Sequence, residues 1–470
     1  MTLKWYHVLP VFLVALFFAI LINLIPKTII TITEEPTSLP SVNISLSDVT
    51  LSDIISDAKD TKFEENSLTI TTASNSLEFT DVEIKGHGNS TRKWPKSPFQ
   101  IKFSNKVDLL GMGKAKKWIL LANFFDKSNL RTDIAFYLER MLDEDYALEG
   151  RFVELYIDNE YQGLYYLTEK VNISKSRVNL KDELGIIVEL DNLHTDEETC
   201  YYTIENTCLV IHDSVVAENE EKAIEEFVKD FNALEQASKS GDYKSVQQLI
   251  DTASFAKYFL LSEFTVNPDA YASSFFFYKD GSDDKIHAGP GWDFDLSLSN
   301  PAWVWSRTED FYLPETTRVI EKYAFGGKVY DEATNEYVTL EPDKTISRLI
   351  YYLYRIPEFK AEVAKIYRQQ MMGKKDELIS FIKSEANHIR DIAIRDKDLW
   401  RESNSELLEK LDLSTDDPDE DNIFHDKLPA EEAFDLEVES LIDWVSRRFD
   451  HFDYEYSGIK DYPTHLAYNY

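Results

Sequence analysis

The sequence predicts an α+β protein, with a β-rich N-terminal lobe, a mainly helical C-terminal lobe and an apolar helix ahead of both. Three observations carry this expectation. Between residues 67 and 169 several runs alternate apolar and polar residues at period two, the signature of half-buried strands. Beyond Asn300 apolar residues recur at helical spacing. At the start, Val8 to Ile25 is almost unbroken apolar sequence, interrupted only by Pro10 and Asn23. The expected division is a short cytoplasmic tail (1–7), a transmembrane helix (8–26), a linker or stalk (27–47), the N-lobe (48–172), the C-lobe (173–455) and a tail (456–470).

The apolar run has about the minimum length that crosses a bilayer. Lys4 and His7 precede it, and Glu34 and Glu35 follow it. That asymmetry places the short tail in the cytoplasm and the rest of the chain outside the cell. A cleaved signal peptide is the alternative, but the run is long for one and no small-x-small cleavage site follows. Either way the bulk of the chain leaves the cytoplasm. Residues 32–47 are rich in Thr, Ser and Pro and read as a stalk or an edge strand.

Composition limits the partners. The 470 residues include 50 basic and 85 acidic side chains, a formal net charge of -35, with 43% hydrophobic and 13% aromatic residues. A folded chain so acidic is repelled by nucleic acid and anionic lipid, so an anionic ligand requires a local basic patch or a bound metal. The nine histidines form no HExxH pattern, which leaves a zinc hydrolase without support.

Elements follow in order. Leu51–Asp57 reads as a short helix or turn, and 67–72 and 76–85 as strands. The second strand runs into Gly86, Gly88, Asn89 and Ser90, then Arg92, Lys93 and Lys96, and then the strand 98–103 carrying Lys102. Strand, glycine loop and lysine-bearing strand is the layout of a phosphate-covering hairpin; a plain turn is the alternative. Residues 118–126 are a buried segment, and a helix over 126–142 takes Asp126 or Ser128 as its cap. Arg131 in its first turns opposes the usual preference for acids there and so calls for a specific partner. Residues 152–169 form a hairpin closed by Glu169. Cys200 and Cys208, the only cysteines, flank a segment that turns back on itself, so a local disulfide is sterically reasonable, with two unpaired thiols as the alternative. Helices are expected over 345–354, 358–370, 375–396 and 430–449, the last secured by Trp444 and Arg447. Asp416–Asp421 reads as a solvated acidic loop.

Residues 267–300 are the stretch on which the rest depends. Asp269 lies in a loop, an aromatic strand follows from Phe275 to Tyr278, and a return strand leads through Gly289-Pro290-Gly291 into Trp292-Asp293-Phe294-Asp295. A hairpin with one carboxylate at its entrance and two at its exit brings distant acids together. Kinases share that spacing, with a catalytic-loop Asp before a short hairpin and a metal-binding Asp after it. An Asp in a turn is more often a cap, but paired acids at a buried strand end call for a partner.

The stretches GHGNST (86–91), PFQIKF (98–103), WILLANFFDKSNLR (118–131), LYIDNEYQGLYYLTEKV (155–171), GIIVELD (185–191), NPDAY (267–271) and WDFDLS (292–297), in that order, resemble the spore coat protein H (CotH) kinase-like family. The resemblance covers roughly residues 80–300, with a weaker tail to about 450. It implies a two-lobed atypical protein-kinase-like fold using ATP and Mg2+ or Mn2+. By that resemblance Gly86, Gly88, Asn89 and Ser90 cover the phosphates and Lys102 pairs with them. Glu169 sits near the nucleotide, Asp269 is the catalytic base, and Asp293 and Asp295 are metal ligands. One departure stands out. Related sequences place an asparagine five residues after the loop aspartate, as a second metal ligand, and here Ser274 takes that place. The implied function is an extracytoplasmic kinase acting on a hydroxyl of a surface protein or cell-envelope component. The alternative is a catalytically weak surface module that binds an envelope glycan or partner protein.

Overall fold

Seven strands close into a barrel that presents one outer face to the rest of the chain. They are β1 (Ser41–Ser45), β2 (Phe63–Thr71), β3 (Ser76–Gly86), β4 (Phe99–Asp108), β5 (Lys114–Leu121), β6 (Gly150–Ile157) and β7 (Glu160–Glu169), in the order β1-β2-β3-β4-β5-β7-β6. The structure, a computed structural model, describes residues 39–57, 61–88, 91–193, 199–267, 269–300, 328–331, 336–339, 346–410 and 428–458. Closure comes from β1, which pairs antiparallel with β2 and parallel with β6. The Thr/Ser/Pro-rich stretch therefore ends inside the barrel, because Val42 and Ile44 are fully buried in its core. Alternation sets the two faces. Val82, Ile84, Phe99, Ile101, Trp118 and Leu120 fill the interior, while Glu83, Lys85, Gln100, Lys102 and Lys117 point outward.

Helix α1 (Leu51–Ser56) is short and closed by a capping box between Thr50 and Asp53. Helix α2 (Arg131–Met141) starts later than its sequence pattern predicts. Residues 126–130 form a turn, with Asn129 at φ +60°, and the Asp126 carboxylate accepts the Ser128 and Arg131 amides. The Arg131 side chain has the partner its position calls for: it pairs with Asp126 at 2.5 Å and donates to the Ser297 carbonyl at 3.1 Å.

A second sheet runs β12-β11-β8-β10-β9, built from β8 (Ile186–Leu190), β9 (Tyr201–Tyr202), β10 (Cys208–Ser214), β11 (Phe275–Lys279) and β12 (His287–Ala288). Cys200 and Cys208 are joined in a disulfide that ties the β9–β10 hairpin. Strands β13 (Lys328–Asp331) and β14 (Glu336–Thr339) form a separate hairpin.

Helices α3 (Glu220–Ser240), α4 (Tyr243–Leu249), α5 (Thr252–Thr265), α6 (Leu349–Tyr354), α7 (Pro357–Gln370), α8 (Lys375–Lys410) and α9 (Ala430–Ser457) complete a mixed α/β fold with nine helices among the described residues. Helix α5 is buried on nearly all sides and lies in the main core. Helix α9 is anchored by Trp444, as expected, but by Arg448 and not Arg447. Arg448 is buried and donates to the Glu263 and Phe264 carbonyls, whereas Arg447 pairs with Asp443 on the surface. One position on a helix turns the side chain by about 100°, enough to exchange core for solvent.

The expected membrane helix (8–26) and the acidic loop at 416–421 lie outside the described residues. Among the described residues no helix is long and apolar enough to cross a membrane.

Candidate active site

The loop after α5 is shaped by its own polar groups. Val266 takes a left-handed conformation and ends the helix. Asn267 then binds in two directions: its Oδ1 accepts the Asp269 amide at 3.1 Å and its Nδ2 donates to the Asp293 carbonyl at 3.2 Å. The Asp269 carbonyl accepts the Ala272 and Ser273 amides, both at 2.9 Å, so the chain turns tightly into β11. At the far end of the β11–β12 hairpin, the Gly289 amide returns to the Phe276 carbonyl. Asp293 follows at φ +65°, and Asn300 Nδ2 donates to the Asp295 carbonyl at 2.5 Å. The hairpin therefore brings its entrance acid and its exit acids to one place.

That place is a cleft of about 610 Å³ between the outer face of the barrel and the second sheet. One wall is acidic. Glu189 and Asp191, at alternate positions of β8 and its end, join Asp269, Asp293 and Asp295. Ser273 Oγ donates to Asp191 at 2.9 Å, and Ser274 Oγ lies 3.4 Å from Asp293. Glu189 pairs with His212, whose other ring nitrogen lies 3.0 Å from the Val171 carbonyl. The opposite wall is basic, with Lys85 on β3 and Lys170 just past β7 flanking Gln100, to which Lys170 donates at 3.2 Å. Apolar surface comes from Phe124, Phe276 and Trp292 among others.

Crowding perturbs the charges on both walls. Burial, then Asp293 and Asp191, push the Asp269 carboxyl up to about 7. Burial and Glu189 raise Asp293, against hydrogen bonds from Ser274 and Asp295 that favour its charged form. Asp295 is held well above the usual range by burial, Asp293 and Asp269. Asp293 is exposed on the floor of the cleft although protein surrounds it closely. On the other wall, burial and the like charges of Lys117 and Lys85 lower Lys170 to about 8.

The residues predicted from sequence divide clearly. Gly88, Asp269, Ser274, Asp293 and Asp295 line the cleft. Gly88 is at φ +80°, and a Cβ there would lie 2.3 Å from Thr91 Oγ1, so glycine is required. Gly86 ends β3, paired with Phe99, and Asn89 and Ser90 lie outside the described residues. Lys102 does not line the cleft. It faces outward two residue pairs beyond Lys85 and Gln100 and is engaged by Glu83 at 2.9 Å, beside a separate acidic recess. Glu169 is likewise turned away, buried against Arg177 and accepting the Glu149 amide. The structure adds Lys85, Lys170, Glu189 and Asp191, to which the sequence pattern assigns no role. The alternation in GIIVELD was the available signal for the two acids.

The family model described as CotH kinase protein matches residues 84–452. The chain belongs to the CotH kinase family. No curated protein matches the chain. The match spans the barrel from β3 onward, the cleft and most of α9, so every described cleft residue falls inside it.

Proposed function

We propose that this CotH-family protein is an extracytoplasmic kinase that transfers the γ-phosphoryl group of ATP to a hydroxyl of a surface protein or cell-envelope component. In this reading the barrel is the N-lobe of a kinase-like pair, the β8–β12 sheet and later helices are the C-lobe, and residues 8–26 are the membrane anchor. One observation carries the proposal: lysines and carboxylates face each other across a single cleft. A metal nucleotide presents that same pairing of charges, with anionic phosphates on one side and a cation on the other.

The donor set fits a divalent cation. Among the described residues no three His, Cys, Asp or Glu side chains are gathered closely enough to hold a metal unaided. Magnesium does not require that, since it is usually held by one or two carboxylates together with substrate phosphates. Asp293 and Asp295 would hold it, with the Ser274 hydroxyl as a weaker ligand. When bound, the cation would neutralise charge on the phosphate oxygens and on the acidic wall.

The chain's own groups have distinct tasks. Lys85 and Lys170 bind phosphate oxygens, and the loop at Gly88 lets the backbone approach them. Asp269 accepts the proton of the acceptor hydroxyl as its oxygen bonds to the γ-phosphorus and the bond to the bridging oxygen breaks, releasing ADP. A carboxyl raised to about 7 is a better base than an ordinary aspartate. Phe124, Phe276 and Trp292 exclude water from the cleft. Ser274 favours a second reading, a weakly active module that binds an envelope glycan or partner protein.

The test is thermal unfolding of the full-length chain with ATP and Mg2+ or Mn2+, beside Asp293→Ala, and phosphate transfer to envelope extracts. Ligand at a hundred times its Kd stabilises by about 2.7 kcal/mol. A metal-dependent shift lost in Asp293→Ala supports the kinase, and no shift with either metal favours the binding module.

A further inference from the structure

Asp293 owes its place to the backbone immediately before it, and that backbone is gripped by α2. Glu139 is fully enclosed, and its Oε1 accepts the Gly291 amide at 2.5 Å. The Leu148 amide also lies near this carboxyl and favours its charged form, though Oε2 makes no full hydrogen bond among the described residues. The approach is so close that a Cβ on Gly291 would lie 2.8 Å from Glu139 Oε1, 2.9 Å from Phe294 Cζ and 3.0 Å from Leu261 Cδ2. One turn earlier on the same helix face, Phe136 packs against Trp292 with ring centroids 6.5 Å apart. The two residues preceding Asp293 are therefore both held by α2, one through its amide and one through its ring.

We infer that Glu139 is a positioning residue, a buried carboxyl that clamps the Gly291 amide and thereby fixes where Asp293 enters the cleft. An amide enclosed among Leu261, Phe294 and Glu139 finds no water, so the carboxyl oxygen is its acceptor. Removing the acceptor leaves the amide orphaned, and the segment relieves this by moving. Asp293 is two residues downstream at φ +65°, so a shift at Gly291 swings its carboxylate. The consequence for metal and nucleotide rests on the kinase reading, whereas the clamp itself does not.

Two variants separate a clamp from a general packing role. Glu139→Gln keeps an acceptor oxygen of the same reach, and Glu139→Leu keeps the volume without one. Hydrogen exchange on the full-length chain reads the peptide over residues 289–296, with the barrel strands as internal reference. Glu139→Leu is expected to exchange about ten-fold faster in that peptide alone, and Glu139→Gln to stay within about two-fold of wild type. Equal protection in all three proteins overturns the inference, as does a Glu139→Gln that exchanges as fast as Glu139→Leu or a loss spread through the barrel. Should Glu139→Leu not fold, Gly291→Ala drives the same contact apart and must loosen the same peptide. In parallel, with ATP present, the Mn2+ concentration giving half-maximal thermal stabilisation should rise about ten-fold in Glu139→Leu and remain unchanged in Glu139→Gln, the outcome expected for a displaced ligand. A wild-type protein with no Mn2+ response in the presence of ATP removes the kinase reading, while the exchange result still decides the clamp.

Discussion

Replacing Lys96 by methionine tests which of two tasks this cleft-lining lysine performs. Its side chain is only 2% exposed, with Nζ 2.6 Å from the Leu164 carbonyl and 2.9 Å from Asp396 on α8. Asp396 also accepts the Leu164 amide at 2.9 Å, so one ion pair closes both backbone groups of a β7 residue. A Cβ on the neighbouring Gly163 would lie 2.0 Å from Asp396 Oδ1, which shows how closely helix and strand approach. Burial lowers the Lys96 pKa and Asp396 opposes that shift, as for a structural pair. Breaking a buried pair by removing one partner costs about 3–5 kcal/mol, because the remaining charge is left uncompensated. The double variant Lys96→Met/Asp396→Asn removes that charge and keeps an acceptor for the Leu164 amide. Its remaining cost is the orphaned Leu164 carbonyl, about 1–3 kcal/mol. Denaturant unfolding of the full-length chain, followed by tryptophan fluorescence at pH 7, measures both. A single variant that loses less than about 1 kcal/mol would refute the structural assignment, as would a double variant no more stable than the single. Lost nucleotide binding at unchanged stability would move Lys96 to the phosphate-binding wall.

Three further outcomes follow from the same geometry. Asp269→Asn should cut phosphate transfer by about 10²–10⁴ while leaving metal-dependent nucleotide binding within a few-fold, measured with labelled ATP and by calorimetry; unchanged transfer removes Asp269 as base. Lys85→Ala and Lys170→Ala should each weaken nucleotide binding about ten-fold, and Lys102→Ala should leave it unchanged. The reverse pattern would return the phosphate contact to Lys102. Burial raises Asp133 to about 6, Glu169 to about 7 and Glu139 to about 8. A carboxyl with a raised folded pKa keeps its proton longer than the unfolded chain does, so folding is penalised as pH rises from the ordinary carboxylate range through the folded value. The apparent Tm should therefore fall between about pH 4 and pH 8, and a flat or rising profile would contradict the burial of these groups.

The sequence revealed the site where its parts are neighbours along the chain. Asp269, Ser274, Asp293 and Asp295 sit on one hairpin, whose aromatic strand and glycine exit fix both ends, so local patterning suffices to bring them together. The lysine wall was not legible in the same way. Lys85, Lys102 and Lys117 all point outward, and period-two alternation treats them alike. Which of them meets the cleft depends on the barrel register, where Lys85 lies opposite Gln100 and Lys102 opposite Glu83. Glu189 and Asp191 required knowing that β8 pairs with β11, a contact spanning about ninety positions of sequence. The Arg447 and Arg448 outcome is similar: helical periodicity located the helix but could not resolve its inward face to a single residue. Closure of the barrel by β1 was hidden for a compositional reason, since Thr and Ser suit both a stalk and a strand.

The charge distribution itself bears on which activity the cleft serves. A neutral glycan is bound mainly by aromatic faces and by polar groups that match its hydroxyls, and it gains little from five neighbouring carboxylates. Burial first, and then repulsion from neighbouring carboxylates, hold Asp269, Asp293 and Asp295 above their ordinary range, a standing cost to the folded state. Costs of this kind persist where a ligand relieves them. A cation relieves the acidic wall, and an anion relieves Lys170 on the opposite wall, whose affinity for protons is lowered by burial and by the charges of Lys117 and Lys85. Neither ligand alone suits both, because a bare polyphosphate is repelled by the carboxylates and a bare metal brings no anion to the lysines. In a chain of net charge -35 the lysines are too few to draw in a nucleotide unaided. A metal bound to phosphate would suit both walls at once, so on the kinase reading proposed above the opposition of charges, more than any single residue, supports a metal nucleotide over a neutral glycan as the ligand.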